Sequence, residues 1–464
     1  MKIKISIIAL ALTGMWACQP ELNEFVPTKG NADFTTYMSA GNSLTAGYSD
    51  GALYKSGQQN SYAAIIAMQM EAVGRTGDFK VPFMETEDGV GLRGANLVTK
   101  MEMGYSVDCK GVASLSPVFA NPNASQQELA VLIGTPIGEA GPYHNVAVPG
   151  AKVGHLLAPG YGTLNPFYGR FASAAGNAVV NEFANINPTF FSLWIGNNDV
   201  LGYATSGGIG DIITPIEGTP GIGFAASYEA VVQYFEASAT GGIVANIPDI
   251  TSIPFFTTVP YNPIVLTEQA QVDALNAGYA AYNGAMELFQ SPLRITWALG
   301  QNPMVIADAS IQVPPGYEAL KMRQITAEEL VLLSIPQDSI KCGGWGSLKP
   351  VPDQFILTSQ EKTNVANAVA SYNEVIAGVA EAHDLALVDA NKYMKLASNG
   401  GLKMDGVMFT NAFVTGNLFS TDGVHLTPQG NAVVANFFID AINEKYNSKI
   451  PKVPVSEYNA VLLP

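Results

Sequence analysis

The chain has 464 residues, with 23 Lys+Arg against 39 Asp+Glu and a formal net charge of −16. A surface this acidic repels phosphate backbones and argues against nucleic acid as a partner. A hydrophobic share of 48% is enough for a full core and excludes disorder, coiled coil and collagen-like structure. Charged residues are only 13%, about half the usual share, so Asn, Ser, Thr, Gly and Tyr must carry the surface. The length suits two or three ordinary domains or one long α/β domain.

At the N-terminus, Lys2 and Lys4 precede a mostly apolar run over residues 5–12, and Ala17-Cys18 follows. A basic segment, an apolar stretch too short to span a bilayer and a small residue before the cut make a secretory signal over residues 1–17. The Cys directly after Ala17 resembles a bacterial lipoprotein signal. That resemblance implies acylation of Cys18 and a lipid-anchored protein of the bacterial cell envelope, at the outer membrane or cell surface, with the membrane as its partner. Residues 18–31, polar and carrying Pro20 and Pro27, read as a tether. No later stretch reaches 18 uninterrupted apolar residues.

The mature chain alternates short apolar runs with helical spacing. Strands are expected at residues 35–40, ending at Gly41-Asn42-Ser43-Leu44; at 145–148, ending at Pro149-Gly150; at 189–195, ending at Gly196-Asn197-Asn198-Asp199; at 242–247; and at 385–388. Phe190, Phe191 and Trp194 fall on the third of these as core residues. Near-continuous apolar strands bounded by turn residues suit a parallel sheet buried on both faces. Tyr62, Ile65, Ile66 and Met70 share one helical face, as do Tyr228, Val231, Val232 and Phe235. Long helices are expected over 268–289 and 360–383, and a last one from Pro428, a favoured first-turn residue, to about Tyr446. The alternation implies right-handed crossovers and an α/β fold, a three-layer α/β/α sandwich, with its site at the carboxyl ends of the strands.

Residues 75–143 and 290–359 break the repeat and read as large insertions within a domain over 32–450, with 451–464 as a C-terminal tail. The glycine-rich segment 202–223 follows the Asn197-Asn198 turn and is a candidate lid. Cys109 and Cys342 either pair, as a secreted chain allows, or remain buried thiols. No Cys–His spacing suggests a metal site.

Ser43 ends the first strand, and Ser420-Thr421-Asp422-Gly423-Val424-His425 lies just before the last helix. A serine hydroxyl needs a base within hydrogen-bond reach, and the base needs an orienting carboxylate; an Asp-x-x-His turn can supply both. Donors for an oxyanion are the Ser43 and Gly150 N–H groups and an asparagine amide, for which position alone favours Asn197.

These blocks, in this order, resemble the SGNH or GDSL-type esterase/lipase superfamily: Gly41-Asn42-Ser43-Leu44, then Gly150, then Gly196-Asn197-Asn198-Asp199 as Gly-x-Asn-Asp, then Asp422 and His425. The resemblance covers about residues 33–446. It implies a parallel, flavodoxin-like sheet and a serine esterase with catalytic Ser43, Asp422 and His425. Its oxyanion hole is made by Ser43, Gly150 and, because the family asparagine is the third residue of its block, Asn198 rather than Asn197. It implies no cofactor and no metal. Asn42 departs from the pattern, standing where the namesake Asp usually stands. The absence of Gly-x-Ser-x-Gly argues against an α/β-hydrolase elbow.

The expected substrate is an acetylated glycan, a short acyl ester or a lipid. Short chains are preferred on this reading, because 202–223 suggests an open, polar mouth. The rival is a surface lipoprotein that keeps the fold and binds glycan or lipid without turnover. Plainer roles are helix capping for Ser43, Asn198 and Asp199, a surface position for His425, and an Asx turn for Asp422. His144, His155 and His383 read as structural. Trp297 and Trp345 fall in an insertion, where sugar stacking has no support.

Overall fold

A computed structural model describes residues 25–137 and 141–464. The signal segment and Cys18 lie outside the described residues. Four parallel strands form the central sheet: β1 (Tyr37–Gly41), β2 (Phe190–Trp194), β3 (Gly241–Ala245) and β4 (Ala386–Val388), side by side in that order. Register pairs Tyr37 with Phe190, Phe190 with Gly241, and Ala386 with Ile243. Every residue of β1 and β2 is buried, as expected for strands covered on both faces.

The expected strand at 145–148 lies along the free edge of β1 but pairs only through Ser39 and Asn145. Val146 N–H donates to Ser39 O at 2.9 Å and Val148 N–H to Gly41 O at 3.0 Å. Counting this segment, the order across the sheet is second, first, third, fourth, fifth, the doubly wound order of flavodoxin-like folds.

Helices cover both faces. On one side α1 (Tyr62–Met70) packs on α6 (Pro428–Tyr446), with the Tyr62 and Phe438 rings stacked at 4.7 Å. On the other lie α2 (Asn198–Thr205), α3 (Phe224–Glu236) and α4 (Ser359–Ala382), where Phe224 stacks on Tyr372 at 3.9 Å. The short α5 (Ala390–Ser398) follows β4. Caps set the starts: Thr358 and Glu361 form a capping box on α4, and Thr427 Oγ1 accepts from Gly430 N–H ahead of Pro428 on α6. Residues past α6 stay attached, since the Asn436 amide exchanges two 2.9 Å bonds with the Val453 backbone. The end of the tether is pinned to the same place, with Asn31 N–H on Tyr446 O at 2.8 Å.

One expected framework helix belongs elsewhere. Residues 268–289 form two helices, Gln269–Gly278 and Ala280–Leu288, parted at Tyr279. Their apolar residues Val272, Tyr282 and Met286 pack with Leu266, Ile295 and Trp297 in a core separate from the main one. A third core gathers Met304, Ile306, Val351 and Ile356. The second insertion therefore begins near Val259, which pairs with Val331, well before residue 290. Trp297 is buried inside it and Trp345 packs at a tilt on Phe355, so packing within the insertion accounts for both.

The first insertion carries a hairpin of Met101–Val107 with Ala113–Phe119. Cys109 in its turn is bonded to Cys342, 233 positions away in the second insertion, and Lys341 pairs with Asp108 beside them at 3.1 Å. The two cysteines thus join the insertions to each other. Closing so long a loop restricts the unfolded chain, so replacing both cysteines with serine should lower unfolding stability by about 2–5 kcal/mol. Denaturant melts of the oxidised protein and the double variant measure this, and coincident curves would contradict it.

Candidate active site

Ser43 opens a one-turn helix, Ser43–Ala46, at the carboxyl end of β1. Asn42, not Ser43, is its N-cap: Asn42 Oδ1 accepts from Leu44 N–H at 3.0 Å. This leaves the Ser43 hydroxyl free. Asn42 also donates through Nδ2 to Asn197 Oδ1 at 3.2 Å, tying the end of β1 to the end of β2. The departure at residue 42 is therefore a buried structural link.

The turn before α6 brings its own two residues together and then reaches Ser43. Asp422 Oδ1 accepts from the N–H groups of Val424 and His425, each at 2.8 Å, which is an Asx turn. That turn folds the imidazole over the carboxylate, with His425 Nδ1 2.7 Å from Asp422 Oδ2. His425 Nε2 lies 2.9 Å from Ser43 Oγ. The plain reading of Asp422 as a turn residue and the reading as an orienting carboxylate describe one geometry. Gly423 holds φ +71°, and a Cβ there would meet Leu333 Cδ2 at 2.9 Å, so the turn requires glycine.

Residues not singled out from sequence complete this cluster. Gly51 N–H donates to Asp422 Oδ2 at 2.8 Å, and Ser420 Oγ to Asp422 Oδ1 at 3.1 Å. Asp50 Oδ1 accepts from Thr421 N–H and Oγ1–H. The Tyr48 ring packs 4.6 Å from the imidazole. The only sequence signal for them was proximity, since 48–51 follow the serine block directly. Burial pushes the Asp422 carboxyl up, but the His425 charge and the bonds from the His425 ring and the two backbone N–H groups outweigh it. The carboxyl is held well below the usual carboxylate range.

The candidate oxyanion donors stand in the loops after three neighbouring strand segments. Ser43 N–H sits at the first helical position, where no intrahelical acceptor exists. Gly150, exposed and at φ +78°, has no acceptor for its N–H among the described residues. Asn198 donates one amide proton to Ala151 O at 2.9 Å, which leaves the second free. Asn197 is buried, with its oxygen engaged by Asn42. The helix-cap reading fails for this block, because α2 has no side-chain cap bond. Asp199 instead reaches the loop after Gly150, accepting from Val153 N–H at 2.9 Å. Its other oxygen has no partner among the described residues, and burial pushes its carboxyl up to about 6 against the bond from Val153 and the Lys152 charge.

The remaining histidines make structural contacts. His144 Nδ1 accepts from Lys80 N–H and His155 Nδ1 from Lys152 N–H, both at 3.2 Å. His383 sits between Glu236 and Glu229 of α3. Among the described residues, no group of three or more His, Cys, Asp or Glu side chains converges as a metal site.

A cavity of about 100 Å³, partly open to solvent, adjoins Ser43 and His425, and its walls are apolar. This corrects the open, polar mouth expected from 202–223. That segment forms none of the wall and is tied down, with Thr214 N–H on Asp199 O at 2.9 Å and Lys152 Nζ on Asp211 at 3.0 Å. It is not a lid over this cavity.

No family model and no curated relative matches the sequence. Similar solved structures include LAE5, an α/β hydrolase enzyme from the metagenome of Lake Arreo, at 12% identity and TM-score 0.32 over 89% of this chain and 96% of that one. A Parabacteroides merdae protein described as a GDSL-like lipase gives 11% and 0.33 over 90% and 99%. An extracellular lipase from Streptomyces rimosus gives 12% and 0.33 over 88% and 99%.

Two predictions come from this geometry. On the esterase reading, Asn198→Ala removes an oxyanion donor, so kcat for ester hydrolysis should fall about 10²–10³-fold with little change in KM. Asn197→Ala should mainly cost stability, roughly 1–3 kcal/mol, because it orphans the buried Asn42 amide; the reverse pattern would shift the register by one residue. Asp199 has a raised folded pKa, so the stability it contributes is present below about pH 4 and is lost as pH rises through about 6. Wild type should therefore lose on the order of 2–3 kcal/mol relative to Asp199→Asn between pH 4 and 7.5. Equal pH slopes in urea melts of the two proteins would remove the buried-carboxylate account.

Proposed function

We propose that the protein is a serine ester hydrolase of the SGNH type. A hydrolase fold is consistent with the three-layer α/β/α architecture, and the finer reading rests on the continuous hydrogen-bond chain from Asp422 through His425 to Ser43. His425 Nε2 takes the hydroxyl proton as Ser43 Oγ attacks the ester carbonyl carbon. The Ser43 and Gly150 N–H groups and the free Asn198 amide proton hold the resulting oxyanion. As the tetrahedral adduct collapses, the bond to the alcohol oxygen breaks and His425 returns the proton to it. Water then attacks the acyl-enzyme with His425 again as base, and Ser43 recovers its proton. Asp422, ionised and saturated with donors, stabilises the transient imidazolium and fixes its tautomer.

On the same reading, Cys18 is acylated and anchors the enzyme to the bacterial envelope, with membrane attachment lost in Cys18→Ser. The rival of a binding lipoprotein without turnover is disfavoured by an intact hydrogen-bond chain, which pure binding does not need.

Ser43→Ala tests the mechanism. Hydrolysis of p-nitrophenyl acetate should fall by about 10⁴-fold or more with an unchanged melting temperature, because the three groups act as a unit. Activity surviving in that variant excludes Ser43 as the nucleophile.

A further inference from the structure

We propose that the apolar cavity beside Ser43 is a site for the acyl part of the ester, built for an unbranched chain of medium to long length; this rests on the esterase reading above. The cavity touches the carboxyl ends of all four strands: Ser43 after β1, Asn198 after β2, Pro248 after β3 and Val388 in β4. Strands β1 and β4 are three strand spacings apart, so the cavity runs about 14 Å across the sheet edge. Its far part is lined by Ala390, Met394 and Ala397 of α5 and by Val433, Val434 and Phe437 of α6. The α5 residues are spaced i, i+4 and i+7, one face of a helix directed into the space.

Polarity is confined to one end. Asn42, Ser43, Asn197, Asn198 and His425 stand at the reactive end, and the lining toward α5 and α6 is hydrocarbon apart from the Tyr393 hydroxyl. An apolar cleft with a few convergent polar groups at one end is the common form of a small-molecule site. A glycan would leave its hydroxyls without partners along such walls. An alkyl chain has none to satisfy.

The chemistry decides which half of the ester enters. The alcohol must depart before water can attack the acyl-enzyme, so the half held in the pocket is the one still bonded to Ser43 Oγ. The acyl chain lies across the sheet edge, and the alcohol leaves by the mouth.

The test uses the purified protein and p-nitrophenyl esters from acetate to dodecanoate, which vary the acyl chain with one leaving group. The expected kcat/KM rises about two- to fourfold for each added CH₂ until the cavity is full. Acetate esters of lengthening alcohols should show no matching rise. Ala397→Phe, or Val434→Phe should the first variant not fold, is expected to lower the dodecanoate-to-acetate ratio of kcat/KM at least tenfold. Calorimetric binding of sodium dodecanoate to Ser43→Ala reads the cavity without chemistry. Ser43-dependent hydrolysis that is flat or falling with acyl length, or that follows the alcohol instead, overturns the acyl site and leaves the esterase standing. Binding of dodecanoate that Ala397→Phe or Val434→Phe abolishes, in a protein that hydrolyses no ester, overturns the esterase and leaves a chain-binding cavity.

Discussion

The carboxylate of Asp422 is largely, not fully, buried beside the His425 imidazole, and the site depends on its being satisfied. It accepts from Ser420 Oγ and from the N–H groups of Val424, His425 and Gly51, with His425 Nδ1 at 2.7 Å. Removing one donor leaves the charge less well satisfied, at a cost of about 1–3 kcal/mol. The turn at 420–425 and the segment at 48–51 are therefore held together although Gly51 and Asp422 lie 371 positions apart. Because 48–51 follows the Ser43 turn directly, the bonds that fix the imidazole also fix the distance to the hydroxyl. Positioning and charge stabilisation are two consequences of one packed carboxylate.

Sheet order supplies the other half. Segment 145–148 lies on one side of β1 and β2 on the other, so the loops after three adjacent strands open side by side. Adjacent strands stand about 4.8 Å apart, so the loops that carry Ser43, Gly150 and Asn198 are near neighbours, as the proposed oxyanion hole requires. The cross-links found there tie the three strand ends together: Asn42 to Asn197 between neighbours, and Asn198 to Ala151 and Asp199 to Val153 across the end of β1. Each holds one loop against another, which is how a site on loops gains the rigidity of the sheet beneath it.

Local patterns were legible in the sequence, and non-local closure was not. The strands at 190–194 and 241–245 could be read because burial on both faces leaves an almost uninterrupted apolar run. The helices at 359–382 and 428–446 could be read from caps and periodicity. The same periodicity misled at 268–289, since an apolar helical face does not reveal which core it joins; Val272 and Met286 pack with Trp297, not with the sheet. Asp422 and His425 were legible because one turn carries both, whereas their supports Gly51, Ser420 and Tyr48 acquire meaning only when distant segments meet. The cavity was illegible for the same reason. Leu44, Leu201, Ile250, Met394 and Val434 come from five separate elements, and each alone looks like ordinary core.

Two largely buried carboxylates near the site differ in state, and the difference follows from their partners. Asp422 is surrounded by donors and stays ionised, which suits a group that must face a transient imidazolium. Asp199 has one donor on one oxygen and none on the other among the described residues, so burial prevails and its carboxyl rises to about 6. Environments that push two acids apart assign them different work. Asp422 acts through charge. Asp199 acts through position, holding the Val153 backbone and with it the loop that presents Gly150, a function that a neutral carboxyl performs as well as a charged one.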